Sequence, residues 1–114
     1  MTSNRVVSDR SREYSRHALQ IARSIQEKYP RKPEVAKLGN DQKTLLNESI
    51  RRLGESVRQT NFEGFSFFQT FRSIRNELAH SVSDVSDKRL NEMYETVFGK
   101  LDSMITELNE NIAR

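Results

Sequence analysis

From Leu90 to Ile112 the apolar residues return every three or four positions, at Leu90, Tyr94, Val97, Leu101, Met104, Leu108 and Ile112. That is the a/d spacing of a single helix face, and a seam of that length must be covered by other helices. Met93, Phe98 and Ile105 broaden it, and Gly99 lies mid-helix, where a missing side chain suits a close neighbour. Three more segments carry the same period. Tyr14, Ala18, Ile21, Ala22, Ile25 and Tyr29 predict a first helix, opened by Ser8 and Asp9 and ended by Pro30. Leu46, Ile50, Leu53 and Val57, with Leu45 widening the stripe, predict a second helix capped by Asp41 and weakened modestly by Gly54. Phe67, Phe71, Ile74 and Leu78 predict a third, from about Phe65 to Ser81, with Phe62 and Phe68 packing beside it.

No stretch alternates with period two for long enough to build a sheet. The expected fold is therefore all-α: an up-and-down bundle of four long helices with a short connector helix or turn. The connector falls at residues 30–40, which hold both prolines and a glycine. Pro33 suits the opening of one helical turn through Leu38, with Gly39-Asn40 closing it. Further breaks are expected at Thr60-Asn61 through Gly64 and at Ser83 through Asp87. Residues 1–7 read as a flexible polar leader and 8–114 as one domain.

Mean hydropathy is -0.80, lean for a self-contained core. Yet 28 of the 114 residues are Leu, Ile, Val or Phe, enough to argue against disorder. A lean folded chain favours a partner surface, because assembly buries what one copy cannot. The absence of cysteine excludes disulfides and thiolate metal sites. No acidic cluster has the look of a magnesium site, and no cofactor is expected. No signal peptide or membrane-spanning stretch is apparent, so a cytoplasmic location is expected. Residues 1–58 carry 13 Lys/Arg against 7 Asp/Glu, whereas 59–114 carry 6 against 9. A basic half suits nucleic acid, and equally a pair of solvated helix faces.

The chemistry concentrates in Phe71-Arg72-Ser73-Ile74-Arg75-Asn76-Glu77-Leu78-Ala79-His80-Ser81. At about 100° per residue, Arg75 falls on the flank of the apolar stripe, about 70° from its centre, and His80 points nearly opposite the core. Arg72, Asn76 and His80 are four apart and share one ridge. A core histidine is thus a poor reading of His80: it is either an ordinary surface residue or part of a second buried surface. Ala79 beside it lets another backbone come close. If two such helices met about a two-fold axis, Arg75 and His80 of both copies would converge. Paired guanidinium forks bind a phosphodiester, and imidazole moves a proton to or from a ribose 2′-hydroxyl or a leaving oxygen near neutral pH. Such a site cleaves RNA without a metal and leaves DNA alone, because DNA lacks the attacking hydroxyl.

Arg75-Asn76-Glu77-Leu78-Ala79-His80 resembles the signature of the HEPN superfamily: arginine, a polar residue, then histidine after a four- to six-residue gap. The resemblance implies an all-α bundle of about this length that dimerises through the helix bearing the motif. It also implies a possible metal-independent endoribonuclease with Arg75 and His80 catalytic and Asn76 tuning or orienting them; Arg72, outside the motif, is a supporting candidate because it shares the ridge of Asn76 and His80. Such proteins occur in toxin–antitoxin pairs, abortive-infection systems and CRISPR effectors, so the implied partners are a second copy, RNA, and a protein such as an antitoxin. Other members are non-catalytic modules that dimerise or bind RNA or protein, and that alternative stays open here. The bare spacing recurs at Arg12 and His17, where Glu13 takes the polar place and fits poorly. Glu77 and Glu48 read as solvated surface carboxylates outside the site.

Overall fold

The computed structural model describes the backbone of residues 3–81 and 85–113 and the side chains of 9–80 and 85–113. Four α-helices follow in order: α1 (Ser3–Lys28), α2 (Asn40–Thr60), α3 (Phe68–Ser81) and α4 (Asp87–Ala113). A 3-10 turn, Val35–Lys37, sits in the α1–α2 connector. The chain is all-helical, its helices pack as a bundle, and no strand occurs among the described residues. No described helix is long and apolar enough to cross a membrane.

The stripes read from the sequence become the core. Ala18, Ile21, Ala22 and Ile25 of α1, Leu46, Ile50, Leu53 and Val57 of α2, Phe71, Ile74 and Leu78 of α3, and Leu90 through Leu108 of the α4 seam are buried together. α1 packs on both α2 and α4, and α2 packs on α3. The α3 and α4 backbones stay further apart, and long side chains bridge them. Arg89 forks onto Glu77 at 2.8 and 2.9 Å near one end. At the other, Glu107 accepts from the Ser66 N–H at 3.0 Å. Two polar contacts run through the interior. Tyr94 Oη donates to Asn47 Oδ1 at 2.6 Å, and burial pushes the phenol up to about 12. Asn111 Nδ2 donates to Ser15 and Ser11 of α1 at 2.7 and 3.2 Å.

Several boundaries differ from those expected, each for a local reason. α1 opens at Ser3, so its backbone takes in most of the leader assigned to 1–7, and Ser8 and Asp9 lie inside the helix. No proline or glycine separates them from the stripe, and an established helix extends readily through such residues. Gly39 is the N-cap of α2 instead of the end of the short turn. Its N–H donates to Gln42 Oε1 at 3.0 Å, and Asp41 falls in the first turn, beside the positive end of the helix dipole. α3 begins at Phe68 and not Phe65, because the Ser66 N–H is bound to α4. Phe62, Phe65, Phe67 and Phe71 form a ladder of ring contacts beneath that turn, with centroids 4.5 to 6.0 Å apart.

The break after α2 is as read. Asn61 takes the left-handed conformation (φ 53°), which asparagine tolerates better than most residues. Ser86 accepts from the Arg89 N–H at 3.2 Å and so caps α4, while positions 83 and 84 of the expected turn lie outside the described residues. Leu45 does not widen the α2 stripe: it is 58% exposed, since a fifth apolar position on a helix with two flanking neighbours turns past both. Gly99 meets no neighbour within 4 Å and is exposed.

Candidate functional site

α3 divides cleanly into two faces. Phe71, Ile74 and Leu78 are buried, while Arg72, Asn76, Ala79 and His80 are exposed, as the helical angles require. Arg72, Asn76 and His80 form one outward ridge with the small Ala79 beside it. His80 makes no hydrogen bond or ion pair with another described residue. Arg75 and His80 diverge within one copy: five residues separate their directions by about 140° and their positions by about 7.5 Å along the axis.

Arg75 stands where α2 and α3 come closest, and Gly54 is the cause. A methyl group at position 54 would lie 2.6 Å from Arg75 Cβ and 2.7 Å from the Phe71 carbonyl oxygen. The missing side chain seats the α3 backbone directly on α2. Gly54 does cost α2 some helix propensity, as expected, but its role in the fold is this contact.

The seam so formed is polar along its outer edge. Glu48, Arg51, Glu55 and Arg58 line one ridge of α2, alternating in sign at three- and four-residue steps. Arg51 Nε donates to Glu48 at 2.8 Å, which holds that carboxyl below its ordinary range. Arg58 Nη2 donates to Glu55 Oε2 at 2.6 Å. Glu55 also reaches across the seam: Arg75 Nε lies 2.6 Å from Glu55 Oε1. The Nε atom is buried and its N–H is not aimed straight at that oxygen, so the contact is a close ion pair more than a linear hydrogen bond. The bonds from Arg58, and then the charges of Arg58 and Arg75, hold the Glu55 carboxyl below the usual carboxylate range against the opposing effect of burial. On its other side Arg75 Nη1 donates to Asn76 Oδ1 at 2.9 Å. The Arg75 side chain as a whole is one-quarter exposed.

Thus Asn76 does touch Arg75, the contact its adjacency allowed. Arg72 stands on the exposed ridge without joining the pair. Glu48 is a surface carboxylate, as read, held within α2. Glu77 is not merely solvated. It takes both oxygens to Arg89 at the start of α4, which holds its carboxyl low. At the second copy of the spacing, His17 is exposed on the outer face of α1. Among the described residues no three of His, Asp or Glu converge on a point where a cation could sit.

Glu55, Arg58 and Gly54 were missing from the residues read as functional. Two signals pointed to them: the alternating charges on one flank of the α2 stripe, and a glycine on the apolar face beside it. Comparison of the chain with family models, with curated proteins and with solved structures found no match.

Proposed function

We propose that the protein is a metal-independent endoribonuclease of the HEPN type, acting as a homodimer across α3. The observation that carries this reading is the outward face of α3. It presents His80, Asn76 and Arg72 on one exposed ridge and the partly exposed guanidinium of Arg75 on its flank, and core packing accounts for none of them. Only α2 packs closely on this helix, and Ala79 keeps the outer face low enough for a second α3 to approach.

In such a dimer His80 takes the proton from a ribose 2′-hydroxyl. The oxygen attacks the adjacent phosphorus, and the 5′-oxygen of the next nucleotide leaves with a proton from the second imidazole. Arg75 meets the charge that builds on the non-bridging oxygens. The products are a 2′,3′-cyclic phosphate and a 5′-hydroxyl.

The second reading is a non-catalytic dimerisation or RNA-binding module. It is favoured by one observation: Glu55 and Asn76 already engage Arg75 within a single chain. The test that separates the two is cleavage of RNA by highly purified protein in EDTA, with the product ends identified. Under the first reading, His80→Ala lowers the rate at least about a hundredfold, the low end of what a positioned acid–base group contributes, with helicity unchanged. Cleavage by that variant at the parental rate, or none by the parent, overturns it.

A further inference from the structure

We propose that Glu55 is a positioning residue: it holds the Nε side of Arg75 at the mouth of the α2/α3 seam, so that the rest of the guanidinium is fixed for an RNA phosphate. The inference deepens the ribonuclease reading and rests on it for the identity of the ligand.

Three features of the seam converge on it. The base of Arg75 is seated closely on α2, because its Cβ and the Phe71 carbonyl lie against Gly54. Its guanidinium is held at two places, Nε by Glu55 from the neighbouring helix and Nη1 by Asn76 from its own. Glu55 is itself held, because Arg58 Nη2 occupies its second oxygen at 2.6 Å. Both Glu55 and the Arg75 side chain are one-quarter exposed, so the pair sits at the mouth of the seam, within reach of a ligand. A guanidinium with a fixed plane loses less freedom on meeting a phosphate than a swinging one.

A bare counter-ion would act in the opposite direction. Removing a carboxylate near a phosphate-binding arginine raises the local positive potential and strengthens RNA binding. Removing a clamp weakens binding and slows the reaction. The sign of the effect therefore decides between them.

The test uses the full chain with a fluorescein-labelled 12-nucleotide RNA of mixed sequence for cleavage, and its fully 2′-O-methylated counterpart, which cannot be cleaved, for binding. Glu55→Gln keeps the shape and removes the charge. It is expected to lower kcat about tenfold, in line with the loss of a charge-assisted contact, and to weaken binding of the methylated oligonucleotide severalfold. Arg75→Lys keeps the charge and removes the Nε–H and the fork, and should reproduce both effects. The double variant should be no worse than either single one, because the two changes break one unit. Tighter binding with an undiminished kcat in Glu55→Gln, or additive losses in the double variant, overturns the proposal. Parental protein that binds but does not cleave would sink the ribonuclease reading alone. The binding arm still decides the clamp: weaker binding by both single variants upholds it, and parental or tighter binding by Glu55→Gln overturns it. Parental protein that does not bind the oligonucleotide overturns both.

Discussion

At residue scale the decisive position is Gly54. Glycine in a helix interior is ordinarily a small loss, but here any side chain meets backbone on the neighbouring helix. The Phe71 carbonyl cannot rotate aside, so α3 must move away as a body. Gly54→Ala is expected to destabilise the fold by about 1–3 kcal/mol, despite the better helix propensity of alanine. Chemical denaturation followed by circular dichroism measures this, and a gain in stability would mean that the two helices are not held together there. Arg75 and Asn76 were legible in the sequence, since a motif and a helical angle suffice to place them on α3. The partner of Arg75 was not. Glu55 lies twenty positions earlier, and only the crossing of α2 and α3 brings the two together.

At the scale of elements, α3 is the shortest of the four helices at 14 residues, and α2 is the helix packed closely on it. The Glu77–Arg89 fork ties its C-terminal half to the first turn of α4. The Glu77 carboxyl is lowered from its ordinary 4.5, first by the bonds from Arg89. A carboxylate whose pKa is lower folded than unfolded adds stability above the unfolded value, and that stability is lost as pH falls through the folded one. Both partners are about a third exposed or more, so water screens the pair and a contribution of about 0.5–1 kcal/mol is expected. Glu77→Gln should thus be less stable than the parent by about that much at neutral pH. The difference should close as pH drops below 4.5, where the parent also loses its charge. Denaturation curves at neutral and acid pH check this, and a difference that persists in acid would assign it to packing. The stripes of α1, α2 and α4 were readable because burial follows helical period. The start of α3 was not, because the Ser66 N–H bond to Glu107 spans 41 residues.

At the scale of the whole molecule, the bundle is 50 Å long and 27 by 20 Å across, with α3 on its outside beside α2. A two-fold axis along α3 would set two Ala79 residues face to face. Ala79→Arg puts a long charged group there, on a side chain that touches nothing in the core. Under the proposed α3 dimer, the expected outcome is a dimeric parent and a monomeric variant by light scattering, with stability within about 0.5 kcal/mol of the parent, as for an exposed substitution. A dimer that survives the change uses another surface, and His80 and Arg75 of the two copies then have no common cleft.

The sequence by itself determined the four helices, the faces they bury and the residues of α3 that turn outward. Those properties follow from helical period and side-chain chemistry, which act over a few neighbouring positions. The tertiary structure alone decided that Gly54 seats α3 on α2, that Glu55 meets Arg75, and that Glu77 belongs to Arg89. Each of these joins positions far apart in the chain, and they meet only after the core has chosen which helices lie side by side.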